Sequence, residues 1–107
     1  MITVFLIDEI DVINRSFDIN GVKTDTVTTG IKARVEDYNK MIRDVNGQEV
    51  MGNMLVITKP NEDINYGNLI KIKKKNGIAY ELANKEFAIK KIENASGFIA
   101  SQKEIYL

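Results

Sequence analysis

The sequence predicts a mainly β fold: a small antiparallel β-barrel or sandwich with long loops and at most one short helix. Short runs dominated by Ile, Val, Thr, Phe and Tyr recur along the chain, and these residue types suit a pleated, half-buried surface. Three Asn-Gly pairs, Asn20-Gly21, Asn46-Gly47 and Asn76-Gly77, stand between such runs. Asn-Gly favours the two-residue hairpin turn, because both central positions need positive φ. The 107 residues are 44% hydrophobic, enough for one modest core, so residues 1–107 are read as a single domain.

In chain order, residues 12–19 and 22–27 flank the first Asn-Gly pair as a predicted hairpin. Residues 31–35 and 54–58 are further strands. Residues 69–74 and 78–82 flank the third pair, the strongest hairpin signal of the three. There Ile70, Ile72 and Lys74 share one face, while Leu69, Lys71, Lys73 and Lys75 share the other. Residues 98–107 make a terminal strand. Two segments fit a strand less well. Residues 36–43 place Tyr38, Met41 and Ile42 at helical spacing, which admits a short helix or an irregular loop. Residues 82–92 have partial helical periodicity but read better as strand. No internal repeat or linker stands out. Many short strands with turns between them indicate a barrel or sandwich.

Composition narrows the chemistry. Lys+Arg and Asp+Glu both number 15, so the basic excess of a dedicated nucleic-acid binder is missing. The charge is uneven, with net −4 over residues 1–67 and +4 over residues 68–107. That asymmetry suits head-to-tail packing of copies, although a mixed solvated surface is the commoner meaning. The chain has neither His nor Cys. It therefore lacks an imidazole base, a thiol nucleophile and the usual zinc ligands, and a non-enzyme is expected. Ser16, Ser96 and Ser101 are the only serines, and none sits in a nucleophile elbow. Gly47 and Gly52 have P-loop spacing, but Asn53 and Met54 follow where Lys and Ser/Thr are needed. Asp8, Glu9 and Asp11 have oxygens suited to Mg²⁺, but an acidic cluster of this kind is usually solvated. No cofactor and no metal is expected. Residues 2–7 are apolar but too short for a secretory core, and no run reaches the ~20 apolar residues of a membrane helix. These features fit a soluble chain that stays in the cell that makes it.

Lys71, Lys73, Lys74 and Lys75 form the densest basic patch. They read either as contacts to phosphates or an acidic partner, or as charges that blunt an exposed strand edge. No aromatic residue interleaves with them, so no base-stacking platform is evident.

From residue 31 onward, a strand at Ile31-Lys32-Ala33-Arg34-Val35-Glu36, a turn and strand over Asp63 to Ile70, a hairpin over Gly77 to Leu82 and a last strand at Glu104-Ile105-Tyr106-Leu107 follow in an order that resembles the head-closure (stopper, or head–tail joining) proteins of long-tailed phages. Ile31-Lys32-Ala33-Arg34-Val35-Glu36 is similar to a strand of that family. Gly47-Gln48-Glu49-Val50 and Leu55-Val56-Ile57 follow it. Lys59-Pro60 and Asp63-Ile64-Asn65-Tyr66-Gly67-Asn68-Leu69-Ile70 resemble its Ile-x-x-Gly-Asp-x-Ile stretch, with Asn68 in place of the commoner aspartate. Gly77-Ile78-Ala79-Tyr80-Glu81-Leu82 resembles its next hairpin, and Glu104-Ile105-Tyr106-Leu107 its last strand. Residues 83–86 depart from the family's spacing, and the first thirty residues match only loosely. The resemblance implies a small β-barrel in a cyclic ring, dodecameric or hexameric, at the virion neck. It implies a portal or adaptor ring on one side, a tail or tail terminator on the other, packaged DNA nearby, and synthesis in the bacterial host cytoplasm. It also implies a channel-gating loop over residues 37–53, with Lys40, Arg43, Asp44, Asn46, Gly47, Glu49 and Gly52 as its polar and flexible positions. Met41, Ile42, Val50, Met51 and Met54 are then expected as interface residues, since methionine adapts to partners that rearrange. Two alternatives stay open: a tail-terminator or tail-completion protein, and an OB- or SH3-like module binding nucleic acid or peptide.

Overall fold

The computed structural model describes residues 6–96 and 101–107. Eight strands follow in order: β1 (Asp8–Phe17), β2 (Lys23–Arg43), β3 (Glu49–Thr58), β4 (Leu69–Lys75), β5 (Ile78–Ala79), β6 (Phe87–Ala88), β7 (Lys91–Ser96) and β8 (Ser101–Tyr106). All pairings are antiparallel, in the order β5-β4-β1-β2-β3-β8-β7, with β6 also on β4. The mainly β expectation holds. Residues 36–43, a candidate helix, are strand, and among the described residues there is no helix. The expected strand over residues 98–107 is present from Ser101, while 97–100 lie outside the described residues, as do residues 1–5 of the apolar start.

One segment closes the sheet on itself. Phe87 and Ala88 pair with Ile70 and Leu69 of β4, and three residues later Lys91 begins pairing with β8 at Tyr106. The same stretch of chain therefore meets both edges of the curled sheet, which makes the body a small barrel. Lys90 N–H donates to Tyr106 C=O at 2.8 Å at the corner. Inside the barrel lie Ile10, Val12, Ile31, Ala33, Val35, Met54, Val56, Ile64, Ile70, Ile72, Ile105 and Leu107. β1 to β4 supply theirs at alternate positions, as the pleat requires, β8 adds Ile105, and Ile64 and Leu107 enter from outside the strands.

β2 is 21 residues long and shared among three structures. Its middle belongs to the barrel, and each end leaves it through a bulge. On one side Thr29 and Gly30 stand against the single residue Asp11, with Gly30 at φ 70. On the other, Tyr38 and Asn39 stand against Asn53. A two-for-one bulge bends the strand and reverses which face each following residue occupies. Thus Ile31, Ala33 and Val35 point inward, but past the second bulge it is Ile42 that is buried. Two hairpin arms result: arm 1, from residues 14–28, and arm 2, from residues 40–52. They stretch the molecule to 51 × 32 × 25 Å. Its radius of gyration, 14.2 Å, exceeds the roughly 13 Å of a compact domain of this length.

The turns divide into two kinds. At Asn76-Gly77 both residues have positive φ (56 and 78), and Lys75 pairs with Ile78, the two-residue turn predicted. The other two sites are wider. Asp18 and Asp44 each bend the chain so that only the glycine, Gly21 or Gly47, takes positive φ. In both, the aspartate carboxylate accepts the N–H groups two and four residues on, at 2.8–3.0 Å. Asp-Ile-Asn-Gly and Asp-Val-Asn-Gly are one turn used twice, a short repeat that sequence inspection alone passed over.

Candidate functional site

Among the described residues, seven of the eleven exposed large apolar side chains lie on the two arms, while Ile7, Tyr66, Ile78 and Leu82 lie elsewhere. In arm 1, Phe17, Val22 and Val27 are about half exposed or more, and Ile19 at the tip is fully exposed. In arm 2, Met41, Val45 and Met51 are exposed. Met41 lies directly opposite Met51 in the register, so their side chains share one face. Ile19 and Val45 hold the same position in the two repeated turns. An apolar residue at a turn tip gains little from the fold that bears it, which makes the two tips candidate contact points.

Residues 37–53 are not a loose loop. Arg43 pairs with Glu49, Ile42 with Val50 and Lys40 with Gly52, leaving only residues 44–48 as turn. The turn is tied inward, because Val45 N–H donates to Lys90 C=O at 3.3 Å and Lys90 Nζ donates to Met51 C=O at 2.6 Å. Lys40 lies 5.6 Å from the centroid of the Tyr38 ring, and Arg43 donates to Gly47 C=O and sits 4.0 Å from Glu49. Asp44 is engaged by its own turn, and Asn46 is exposed at the tip. Gly52 is no hinge. It is buried within β3, where an added Cβ would lie 3.4 Å from Ile42 Cδ1, so a glycine lets Ile42 lie flat. Two interface expectations are corrected with it. Met54 is 6% exposed inside the barrel, and Ile42, at 9%, is covered on the inner face of arm 2. Of the five, Met41 and Met51 offer free surface, and Val50 is half-buried.

Two of the four lysines of the patch are answered by carboxylates within the fold. Lys73 lies 3.7 Å from Asp11, and Lys75 Nζ pairs with Asp37. Lys71 and Lys74 have no carboxylate within 4.0 Å among the described residues. The outer edge of β4 is paired at residues 69–70 by β6 and at 74–75 by β5, which leaves residues 71–73 between the two short strands. The Lys73 and Lys75 contacts join residues before and after position 67, so part of the sequence's charge asymmetry is met within the fold. Asp8, Glu9 and Asp11, the conceivable Mg²⁺ ligands, each face a different partner: the Val35 and Gly77 N–H groups, Lys32, and Lys73 with Gly30. A shallow cavity of about 260 Å³ borders the β4–β5 turn at Lys75, Asn76, Ile78, Ala79, Tyr80 and Glu81. It falls below the usual range of small-molecule sites.

No protein-family model, curated protein or solved structure matches this chain. No helix among the described residues is long and apolar enough to cross a membrane.

Arm 1 is braced by a three-member ionic clamp that sequence reading missed. Arg15 donates to both oxygens of Asp25 (2.8 and 3.0 Å) and to both of Glu86 (3.2 and 2.7 Å). Sequence spacing gives no hint of it, because Glu86 is 71 residues away. The guanidinium holds both carboxyls below their ordinary values, chiefly through these hydrogen bonds. A depressed carboxyl contributes stability above its unfolded pKa and loses it as pH falls through the folded value. Arm 1 is therefore expected to loosen in acid, below about pH 4, before the barrel does. Hydrogen exchange of the ladder amides checks this: protection at residues 14, 16, 24 and 26 should fall with pH ahead of protection at residues 70–72. Parallel loss in both regions would contradict it.

Proposed function

We propose that this protein is a structural subunit of a phage neck, which docks to its neighbours through the two hairpin arms, closes the portal channel after packaging and offers a surface to the tail. One observation carries the assembly reading: a single strand, β2, extends from a closed barrel at both ends into arms tipped with exposed Ile19 and Val45. A barrel with arms at opposite ends of one strand suits a subunit that must reach two neighbours at once. The neck setting rests on the resemblance of residues 31–107 to head-closure proteins. Residues 37–53 then act as a stiff hairpin seated on Lys90, and closure comes from bringing copies of this hairpin together, with Met41, Val45 and Met51 at the contact.

The test is a virion carrying Met41→Glu together with Met51→Glu. Both side chains are exposed, so the barrel should fold unchanged. The expected particles fill their heads but release DNA or remain without tails. Full DNA retention with normal tail joining overturns the reading. A particle map placing the subunit at the end of the tail tube, away from the portal, would instead favour a tail terminator.

A further inference from the structure

We infer that the outer edge of β2 in arm 1 pairs with the same edge of a second copy of this chain, antiparallel and centred on Thr26. The inference stands apart from the phage setting, because it rests on arm 1 alone.

The first observation is an open edge. β1 covers one side of residues 23–28, while β3 first joins β2 at Ala33, so the other side has no strand among the described residues. Which groups face outward follows from the turn. Asp18 N–H donates to Val22 C=O at 3.0 Å. Hydrogen-bonded pairs in an antiparallel ladder alternate, so they fall at 18–22, 16–24 and 14–26. The N–H and C=O groups of Lys23, Asp25 and Val27 therefore point away from β1.

The second observation is that this edge lacks the usual protection. Soluble proteins blunt exposed edges with proline, with lysines along the strand, or with bulges. Lys23 stands only at the start of the edge; residues 24–29 read Thr-Asp-Thr-Val-Thr-Thr, with no proline and no further lysine, and the bulge comes only at its end. The clamp at Arg15 keeps the hairpin in place, so little order remains to be gained on pairing.

The third observation selects the partner. Placing Thr26 opposite Thr26 of a second copy brings Asp25 opposite Val27, and Val27 opposite Asp25. The outward groups on both strands are those of these residues, so they meet as hydrogen-bonded pairs. Thr24 and Thr28 then face one another on the other side of the pleat, and Thr–Thr neighbours are favourable. No like charges are directly opposed, and the Asp25 carboxylate is already met by Arg15. Centring the pair on Asp25 instead would oppose two aspartates. The chosen register gives a two-fold, self-complementary contact that joins two hairpins into one four-stranded sheet. It leaves Met41, Val45 and Met51 of arm 2 free. The contact is small, so the pairing is weak and concentration-dependent.

The absence of cysteine allows a clean test on the full-length chain. Thr26→Cys places two thiols across a non-hydrogen-bonded pair, where Cα atoms approach to about 4.5 Å and a disulfide can form. Mild oxidation should give a linked dimer, whereas Ile19→Cys, fully exposed but off the edge, should not. Sedimentation velocity of the unmodified chain should show its mass doubling as concentration rises. Thr26→Lys, which opposes two lysines at the two-fold, should weaken association about fivefold while the circular dichroism spectrum is retained. A chain that stays monomeric at every concentration, or equal cross-linking at positions 19 and 26, overturns the inference. Neither outcome bears on the virion test, which reads arm 2.

Discussion

Replacing Asp8 by alanine is expected to destabilise the fold by about 3 kcal/mol, seen as a drop in Tm of roughly 15 °C. Asp8 is 1% exposed at the start of β1. One carboxylate oxygen accepts the Val35 N–H and the other the Gly77 N–H, each at 2.8 Å. One side chain thus ties β1, the inward face of β2 and the β4–β5 turn. Alanine leaves a buried and a part-buried amide without acceptors, and an unmet buried donor costs more than a hydrogen bond contributes when made. Asp8→Asn separates the effects. Its amide keeps one acceptor oxygen but turns an NH₂ group toward the other donor, so it should recover part of the loss and no more. Thermal unfolding followed by circular dichroism checks both variants, and an alanine variant within 1 °C of the parent chain would show that the two amides find other partners.

Asp8 also marks how far the sequence could be read. Its acidic neighbours suggested a solvated cluster, yet its function in the fold depends on Val35 and Gly77, 27 and 69 residues away. What was legible was local. Asn76-Gly77 gave its turn because the residue two positions before Asn76 is Lys74, which offers no acceptor to the turn's N–H groups. Asn20-Gly21 and Asn46-Gly47 gave different turns because an aspartate two residues earlier captures the N–H groups first. The helical spacing of Tyr38, Met41 and Ile42 had a physical origin other than a helix. A bulge at Tyr38–Asn39 inserts one residue and shifts the buried parity from odd to even, which mimics a longer period. Residues 82–92, read as strand despite partial helical periodicity, are strand only at 87–88 and from 91, because the chain changes partner strand between Ala88 and Lys91. Arm 1 was seen as a hairpin but not as a site. Both its faces meet solvent, so no alternation of apolar and polar residues records where it points. Of the expected interface residues, Met41 and Met54 look alike in sequence. Only the bulge decides that one is exposed and the other is in the core.

Replacing Tyr106 by alanine is expected to cost about 3–4 kcal/mol and to free arm 2 where it leaves the barrel. Tyr106 is 8% exposed on β8, and its ring meets that of Tyr38 edge-on, with centroids 5.1 Å apart. Tyr38 is itself one of the two bulged residues, and Lys40 lies over its other surroundings at 5.6 Å from the ring centroid. The aromatic pair therefore braces the elbow of arm 2 against the terminal strand. The phenol also reports on that environment. Burial, and then the nearby Glu104 and Glu93 carboxylates, push its pKa up to about 12. The neutral phenol is the form the fold favours, so this contribution is complete below the ordinary value near 10. It is lost as pH rises through the folded value. A spectrophotometric titration at 295 nm should show one of the four tyrosines ionising late, with arm 2 losing amide protection as it does. Tyr106→Phe should abolish the late step and keep the ring packing, which separates the loss of the hydroxyl from the loss of the brace. If Tyr106→Phe loosened arm 2 as much as Tyr106→Ala, the hydroxyl's contact with Glu93, at 3.4 Å, would hold the elbow in place of the rings.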